Sequence, residues 1–334
     1  MAFTTIQQEG AFTHSVRTAI NEMFQELYGG VLLSLGRIIY LNPAGGNDAD
    51  IGDDPASAVR SLSRAYDLAT AGNNDVVALI GDGSTTATAR LSSGFTWAKN
   101  ATHLVGISSG VNLSNRSRIA PTAAVTAFAN FFTVSASGCL FSNIQWFHGF
   151  NTGTTAQICL TVSGGRNAFV GCHIAGMGDQ TSADSSTSRS LKISTTGENQ
   201  FVRCTIGVDT VTRGAANASV EFSGGAPRNE FINCVFPFMA DEATPLGVIV
   251  SAAAGSDRFQ LFDRCLFINA IKSTSTTLTA LSTLAASIGG LHLYKDCTLV
   301  GITDFGSDGT SLAQIYVDGA SVVAATSGIA VNPS

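Results

Sequence analysis

The pattern Phe-x-x-Cys-x-hydrophobic returns about every thirty residues along this chain. Its copies are Phe169/Cys172/Ile174, Phe201/Cys204/Ile206, Phe231/Cys234/Phe236, Phe262/Cys265/Phe267 and Tyr294/Cys297/Leu299. A degenerate forerunner is Phe141/Ile144/Trp146, and the leading aromatics are 28, 32, 30, 31 and 32 residues apart. Five of the seven cysteines occupy one position of this frame. Such self-similarity marks a repeat architecture in which each unit buries its apolar face against its neighbours.

Side chains along a strand alternate between two faces. In the motif, the first and second apolar positions are three apart and the next two apart. One residue between them must therefore turn a corner. That position reads Asn143, Gly171, Arg203, Asn233, Arg264 and Asp296. Asn, Gly and Asp tolerate a left-handed backbone, and arginine does not. Upstream lie Asn167, Asn199 and Asn229, two of them preceded by the pairs Gly164/Gly165 and Gly224/Gly225. Further upstream are alternating runs at Ile158/Leu160/Val162, Leu191/Ile193, Val220/Phe222 and Val248/Val250. Each repeat thus reads as strand, turn, strand, corner, strand, then a Ser/Thr/Ala/Gly-rich loop such as 179–190 or 272–287. Leucine-rich repeats are shorter and propeller blades longer. The period predicts an all-β chain, a right-handed parallel β-helix rising about 4.8 Å per coil, with Phe on Phe and Cys on Cys inside.

Charged residues make up 13% of the chain, against roughly 25% in ordinary globular proteins. The net charge of −6 offers no basic footprint for nucleic acid, and no run approaches a membrane span. The odd number of cysteines, at ladder spacing, suits neither a disulfide framework nor zinc. They read as reduced core thiols, as expected of a chain folding in a reducing cytosol. Residues 1–10 show neither a basic start nor an apolar run, so no secretory signal is expected.

Residues 13–28 read as an amphipathic helix, with Val16, Ala19, Ile20, Met23, Phe24 and Leu27 on one face. Such a short helix needs a partner for its stripe. We take Val16, Ile20, Met23, Phe24 and Leu27 as candidate partner-binding residues. A second helix is expected over 55–71, started by Asp54 and Pro55, closed by Gly72, and buried through Val59, Leu62, Ala65, Tyr66 and Ala69. The expected organisation is an arm and helix at 1–35, an entry strand and capping helix at 36–75, the β-helix at 76–310, and an extension at 311–334. Within that extension Tyr316-Val317-Asp318-Gly319 signals a turn.

The run Ile39-Tyr40-Leu41-Asn42-Pro43, the Gly/Asp loop, Pro55, Ala65 and Val76-Val77-Ala78-Leu79-Ile80-Gly81-Asp82-Gly83 resembles the entry of pectin-lyase-like β-helix proteins. In that superfamily a helix covers the open end of the first coil. Together with the repeats, the resemblance spans roughly residues 36 to 310. Members without a signal look similar to virion proteins of tailed bacteriophages: tailspikes, head fibres and capsid decoration proteins. Fold alone assigns no chemistry.

Glycoside hydrolysis needs two carboxylates flanking the bond. The resemblance further implies calcium sites built from several acids in lyase members. The acids available are Asp53/Asp54 in the entry loop, Asp179 and Asp184 in a Ser-rich loop, and Asp241/Glu242 after Phe238. Each reads as a solvated loop acid or a helix cap. His14, His103 and His292 stand alone, and His173 is expected to face outward. Trp146-Phe147-His148-Gly149-Phe150 reads as core or an oligomer contact, with a sugar-stacking platform as the alternative. No catalytic, cofactor or metal residues are assigned. The expectation is a structural virion protein, a trimeric capsid decoration or cement subunit on the major capsid protein or another virion component. It would fold in the host cytoplasm and touch neither nucleic acid nor membrane. The alternative is a tailspike or receptor-binding protein with polysaccharide depolymerase activity, the one reading with a carbohydrate partner. A secreted pectate-lyase-type enzyme is the weakest.

Overall fold

The computed structural model describes residues 36–108, 110, 113–122, 129–149, 157–178, 187–214, 217–240, 247–270, 278–306 and 314–318, and the backbone of 320–321. Three long sheets run side by side, with eleven, eight and seven strands, beside a two-stranded ribbon. The first sheet begins at Ile38–Leu41, continues through Val76–Ile80 and His103–Ile107, and ends at Ile315–Val317 and Ala320–Ser321. The second runs from Ala89–Leu91 to Thr298–Val300, and the third from Phe95–Trp97 to Ser282–Leu284. From Phe95 to Val300 each coil visits the third, first and second sheet in turn. All neighbouring strands pair in parallel except the terminal hairpin, Tyr316 with Ser321 and Val317 with Ala320. This is a right-handed parallel β-solenoid. The alternating runs read from the sequence are the third-sheet strands Ile158–Val162, Arg189–Ser194, Val220–Ser223 and Ile249–Ser251.

The motif residues form vertical columns. Phe141, Phe169, Phe201, Phe231, Phe262 and Tyr294 stack ring on ring, with centroids 4.6 to 4.9 Å apart and planes within 13°. A shorter stack joins Phe236 and Phe267 at 4.6 Å. Each such contact contributes about 0.5–1.5 kcal/mol beyond burial. The motif cysteines Cys172, Cys204, Cys234, Cys265 and Cys297 are free thiols. Each Sγ points to the carbonyl oxygen of the aromatic one coil earlier, at 3.3 to 3.4 Å. Burial raises the thiols of Cys204 and Cys234 well above the ordinary cysteine value.

All six corner residues lie in the left-handed region, at φ 54, 59, 52, 53, 52 and 50° for Asn143, Gly171, Arg203, Asn233, Arg264 and Asp296. The two arginines adopt it as well, so the geometry of the coil overrides side-chain preference there. On the other side of the first sheet the asparagines form a buried ladder. Asn167 N donates to Asn199 Oδ1 at 3.0 Å, and Asn199 Nδ2 to Asn229 Oδ1 at 3.1 Å. Asn229 Nδ2 then donates to Gln260 Oε1 at 2.9 Å, and Gln260 Nε2 to Ala226 O at 2.6 Å. The ladder supplies partners where the backbone turns and cannot pair with itself. Gly164 sits in this turn because a Cβ there would lie 1.8 Å from Ala136 O.

The entry segment departs from the sequence reading. The helix covers Leu62–Leu68 only, with Ser61 as its N-cap, whose Oγ accepts from Arg64 N at 3.2 Å. Asp54 Oδ1 instead accepts from Ala56 N and Ser57 N, closing a turn. Val59 pairs with Leu41, its N donating to Tyr40 O at 2.9 Å. That pairing takes the backbone groups a longer helix needs. Leu62, Ala65 and Ala69 still join the main core. Tyr66 packs on Phe95 and Trp97, and Lys99 Nζ donates to Tyr66 O at 2.6 Å and Ala69 O at 2.7 Å at the helix end. The helix expected at 13–28, with Val16, Ile20, Met23, Phe24 and Leu27, lies outside the described residues, as does His14. Among the described residues no helix is long and apolar enough to cross a membrane.

Candidate functional site

Three outer surfaces gather polar chemistry. On the third sheet the register places Lys192 beside Glu221, both facing outward between inward Leu191/Ile193 and Val220/Phe222. Glu221 accepts from Lys192 Nζ at 2.8 Å and Arg189 Nε at 2.9 Å. Arg189 is 4% exposed; burial lowers its pKa and Glu221 raises it. Close by, the fully buried Arg213 donates to Asn217 Oδ1 at 3.1 Å, Ala218 O at 3.2 Å and Ser190 Oγ at 2.9 Å. Its Cζ lies 5.9 Å from the Phe238 ring centre. Cys159 senses the Arg213 charge, yet burial pushes its thiol up to about 12, so it stays protonated. This cluster ties the start of strand Arg189–Ser194 to its neighbour Val220–Ser223 and to the residues around Asn217. The sequence reading missed it, although Lys192 and Glu221 occupy the same outward position of consecutive repeats.

The second surface is the turn into the first sheet. Arg166 Nε lies 2.8 Å from Glu198 Oε2, and Arg228 pairs with the other oxygen of the same carboxylate. Hydrogen bonding from Arg228 and the charges of Arg166 and Arg228 hold Glu198 below the usual carboxylate range. Gln200 Nε2 donates to Glu230 at 3.1 Å. These side chains, with Asn167, Ala168 and Asn199, line an open groove of about 360 Å³. Exposed pairs of this kind add little to stability, so the groove is held by the ladder beneath it.

The third is the outward face of the first sheet, next to that groove. Pairing aligns Val170, Val202 and Ile232 in one column and Ala168, Gln200, Glu230 and Leu261 in the next. Leu293 extends the second column beyond Leu261. The aliphatic members are half-buried; the first column continues into Asp263 and Lys295, and the corner residues follow it along the far side.

The groups singled out in the sequence fall elsewhere. Asp53 accepts from Ser57 Oγ at 2.8 Å, and Asp54 holds its turn. Asp179, Asp184, Asp241, Glu242 and Phe150 lie outside the described residues. His173, expected to face solvent, is 2% exposed. Its register is outward, but Ser114 N donates to its Nδ1 at 3.0 Å from a segment folded over the sheet, and its Nε2 meets Gly207 O at 3.1 Å. Burial pushes its pKa down to about 4. His103, His148 and His292 are buried too. Trp146 is inside the coil, His148 stacks on Phe131 at 5.2 Å, and Phe147 lies under the Arg118 guanidinium. These rings are therefore taken up in packing and present no open stacking platform. Among the described residues no group of three or more His, Cys, Asp or Glu is placed to hold a metal ion.

No protein-family model matches the chain, and no curated protein matches it. Solved structures do. Pectin methylesterase from Aspergillus niger superposes with a TM-score of 0.54 at 13% identity, covering 87% of both chains. The pectin methylesterase from carrot gives 0.51 at 15%, covering 88% of this chain and 86% of that one. That from Erwinia chrysanthemi gives 0.51 at 14%, with 81% and 80% covered. At such identities the likeness concerns the pectin-lyase-like fold.

Proposed function

We propose that this chain is a structural subunit of a tailed-bacteriophage virion, a trimeric decoration or cement protein seated on the major capsid protein or a neighbouring virion component. The observation that carries the reading is the aliphatic column Val170, Val202 and Ile232 on the outer face of the first sheet, flanked by Leu261 and Leu293. A β-solenoid already fills its interior, so an outward strip of branched aliphatics serves contact with another molecule. Three such faces meeting about an axis bury one another and leave the charged turns at the rim, the usual layout of an interface. The segment 1–35 and the tail 311–334 supply the anchor and the exchanged arm in this reading. Added buried area across capsomer junctions would stabilise the shell by mass action.

Sedimentation equilibrium tests the association. The wild type is expected as a trimer, and Val202→Glu as a monomer with an unchanged circular dichroism spectrum. A wild type that stays monomeric at high concentration overturns the trimer. Removal of residues 1–30 with undiminished capsid binding removes the anchor.

The structural neighbours favour a second reading. Their names specify action on pectin, and one was solved with a hexasaccharide. A receptor-binding tailspike with polysaccharide depolymerase activity would use the same coil, with its acids at Glu221, Asp241 and Glu242. Clearing of capsular polysaccharide by the purified chain, lost in Glu221→Gln or Glu242→Gln, would place this reading first.

A further inference from the structure

His173 points outward from the second sheet and is nonetheless buried, because residues 113–117 pass over it. Its imidazole has three partners. Ser114 N donates to Nδ1 at 3.0 Å, the Gln145 amide nitrogen meets the same Nδ1 at 3.1 Å, and Nε2 faces Gly207 O at 3.1 Å. A backbone N–H only donates and a carbonyl oxygen only accepts. Nε2 therefore carries the proton, and Nδ1 is the bare acceptor. The Gln145 amide is fixed in the same way: its Oε1 accepts from Arg118 Nε at 2.6 Å, so its NH2 group turns to the ring.

A second proton has one place to go, Nδ1, where it meets two donors. The Ser114 contact is then lost. Gln145 cannot compensate by rotating, since its NH2 group would face the Arg118 N–H. Burial lowers the pKa of the ring to about 4; Gly207 O and Asp209 act for the charged form, and Arg118 acts against it. Ser114, Gln145 and Thr205, which also flank the ring, are neutral. The covering segment is itself finely balanced. Asn115 Nδ2 donates to Asn143 Oδ1 at 2.9 Å and to Gly171 O at 3.1 Å, and Ser117 Oγ donates to Leu79 O at 3.1 Å. Against these contacts, Ser114 holds a left-handed backbone at φ 57°, and Asn115 Oδ1 is buried without a hydrogen-bond partner. Both costs are relieved when the segment lifts.

We propose that residues 113–117 form an acid-released strap, latched through Ser114 onto neutral His173 and lifting off the second sheet when the ring gains its second proton. The device does not depend on the virion reading. With the strap closed the ring stays neutral; with the strap lifted its pKa returns toward the ordinary 6.5. The open form thus binds the proton first, so opening becomes easier as pH falls below about 6.5 and levels off below about 4. Between about pH 7 and about pH 5 the opening constant should rise about twentyfold.

Amide hydrogen exchange on the full chain tests it, expressed as protection factors so that the intrinsic pH dependence of exchange drops out. Protection of the Ser114 and Ser117 amides should fall about twentyfold over that pH range, while strand Gln200–Val202 keeps its own. His173→Asn supplies an amide oxygen in place of Nδ1, an acceptor that does not titrate, and should keep the strap closed at both pH values. His173→Leu removes the acceptor and should leave the Ser114 amide unprotected at both. Ring nitrogen shifts of the wild type, which need no variant to fold, should show the Nε2–H tautomer at neutral pH and no protonation near 6.5. A ring that titrates near 6.5 overturns the latch. So does Ser114 protection that ignores pH, acid opening that persists in His173→Asn, or a loss of protection shared equally by strand Gln200–Val202.

Discussion

Arg203 and Arg264 hold a backbone conformation that costs an ordinary residue about 1–2 kcal/mol. They differ in compensation. Arg264 Nε donates to Asn233 Oδ1 at 3.1 Å and its Nη2 lies 3.0 Å from Asp263. Arg203 projects into solvent. Arg203→Asn should therefore stabilise the fold by about 0.5–1 kcal/mol, and Arg264→Asn by less, read from urea midpoints. Asn199 is the opposite case. Asn199→Ala removes the acceptor for Asn167 N and leaves Gly164 O without its side-chain donor. The expected loss is about 2–3 kcal/mol, measured the same way. The corner was legible because three-residue spacing cannot be accommodated without a turn. Burial of His173 was not, since its cover is Ser114, fifty-nine residues earlier.

The columns of side chains carry the elements. Phe201 lies between Phe169 and Phe231 at 4.6 and 4.7 Å. Phe201→Ala opens a cavity between two rings and should cost about 3–5 kcal/mol. Because each coil touches its neighbours alone, hydrogen exchange should rise around strands Ala168–Val170 and Ala226–Ile232 and stay low near Val76–Ile80. The segment folded over the second sheet depends on His173 in turn. Its folded pKa of about 4 lies below the ordinary 6.5. The unfolded chain thus binds this proton first, and stability falls as pH drops from about 6.5 to about 4, then levels. His173→Gln should flatten that part of a stability–pH curve. The entry helix shows where local signals mislead. Asp54 and Pro55 announce a helix start, but Val59 is claimed by the strand at Leu41, and the helix begins seven residues later than Pro55, at Leu62.

Across the full coil, six of the seven cysteines are buried. Desolvation raises Cys139, Cys159, Cys204 and Cys234. Thiol-disulfide reagents attack thiolates. Titration with such a reagent should therefore leave these thiols unmodified in the native chain and modify all of them in denaturant. Rapid modification under native conditions would contradict the columnar interior. The outer surfaces divide the molecule differently from the inner ones. The aliphatic strip belongs to the first sheet and the Glu221 cluster to the third.

The interior was written in the chain. A period near thirty, one aromatic and one thiol per period, and a forced corner leave a stacked coil as the economical way to bury them. The sheet alternation also follows, since period two assigns every residue of a strand to a face. What emerged from folding alone was which outward residues meet. Lys192 and Glu221 become neighbours through strand register, and His173 is covered by a loop from two coils before. Local pattern sets the direction of a side chain. Its company depends on segments distant in sequence, brought together when the coils stack.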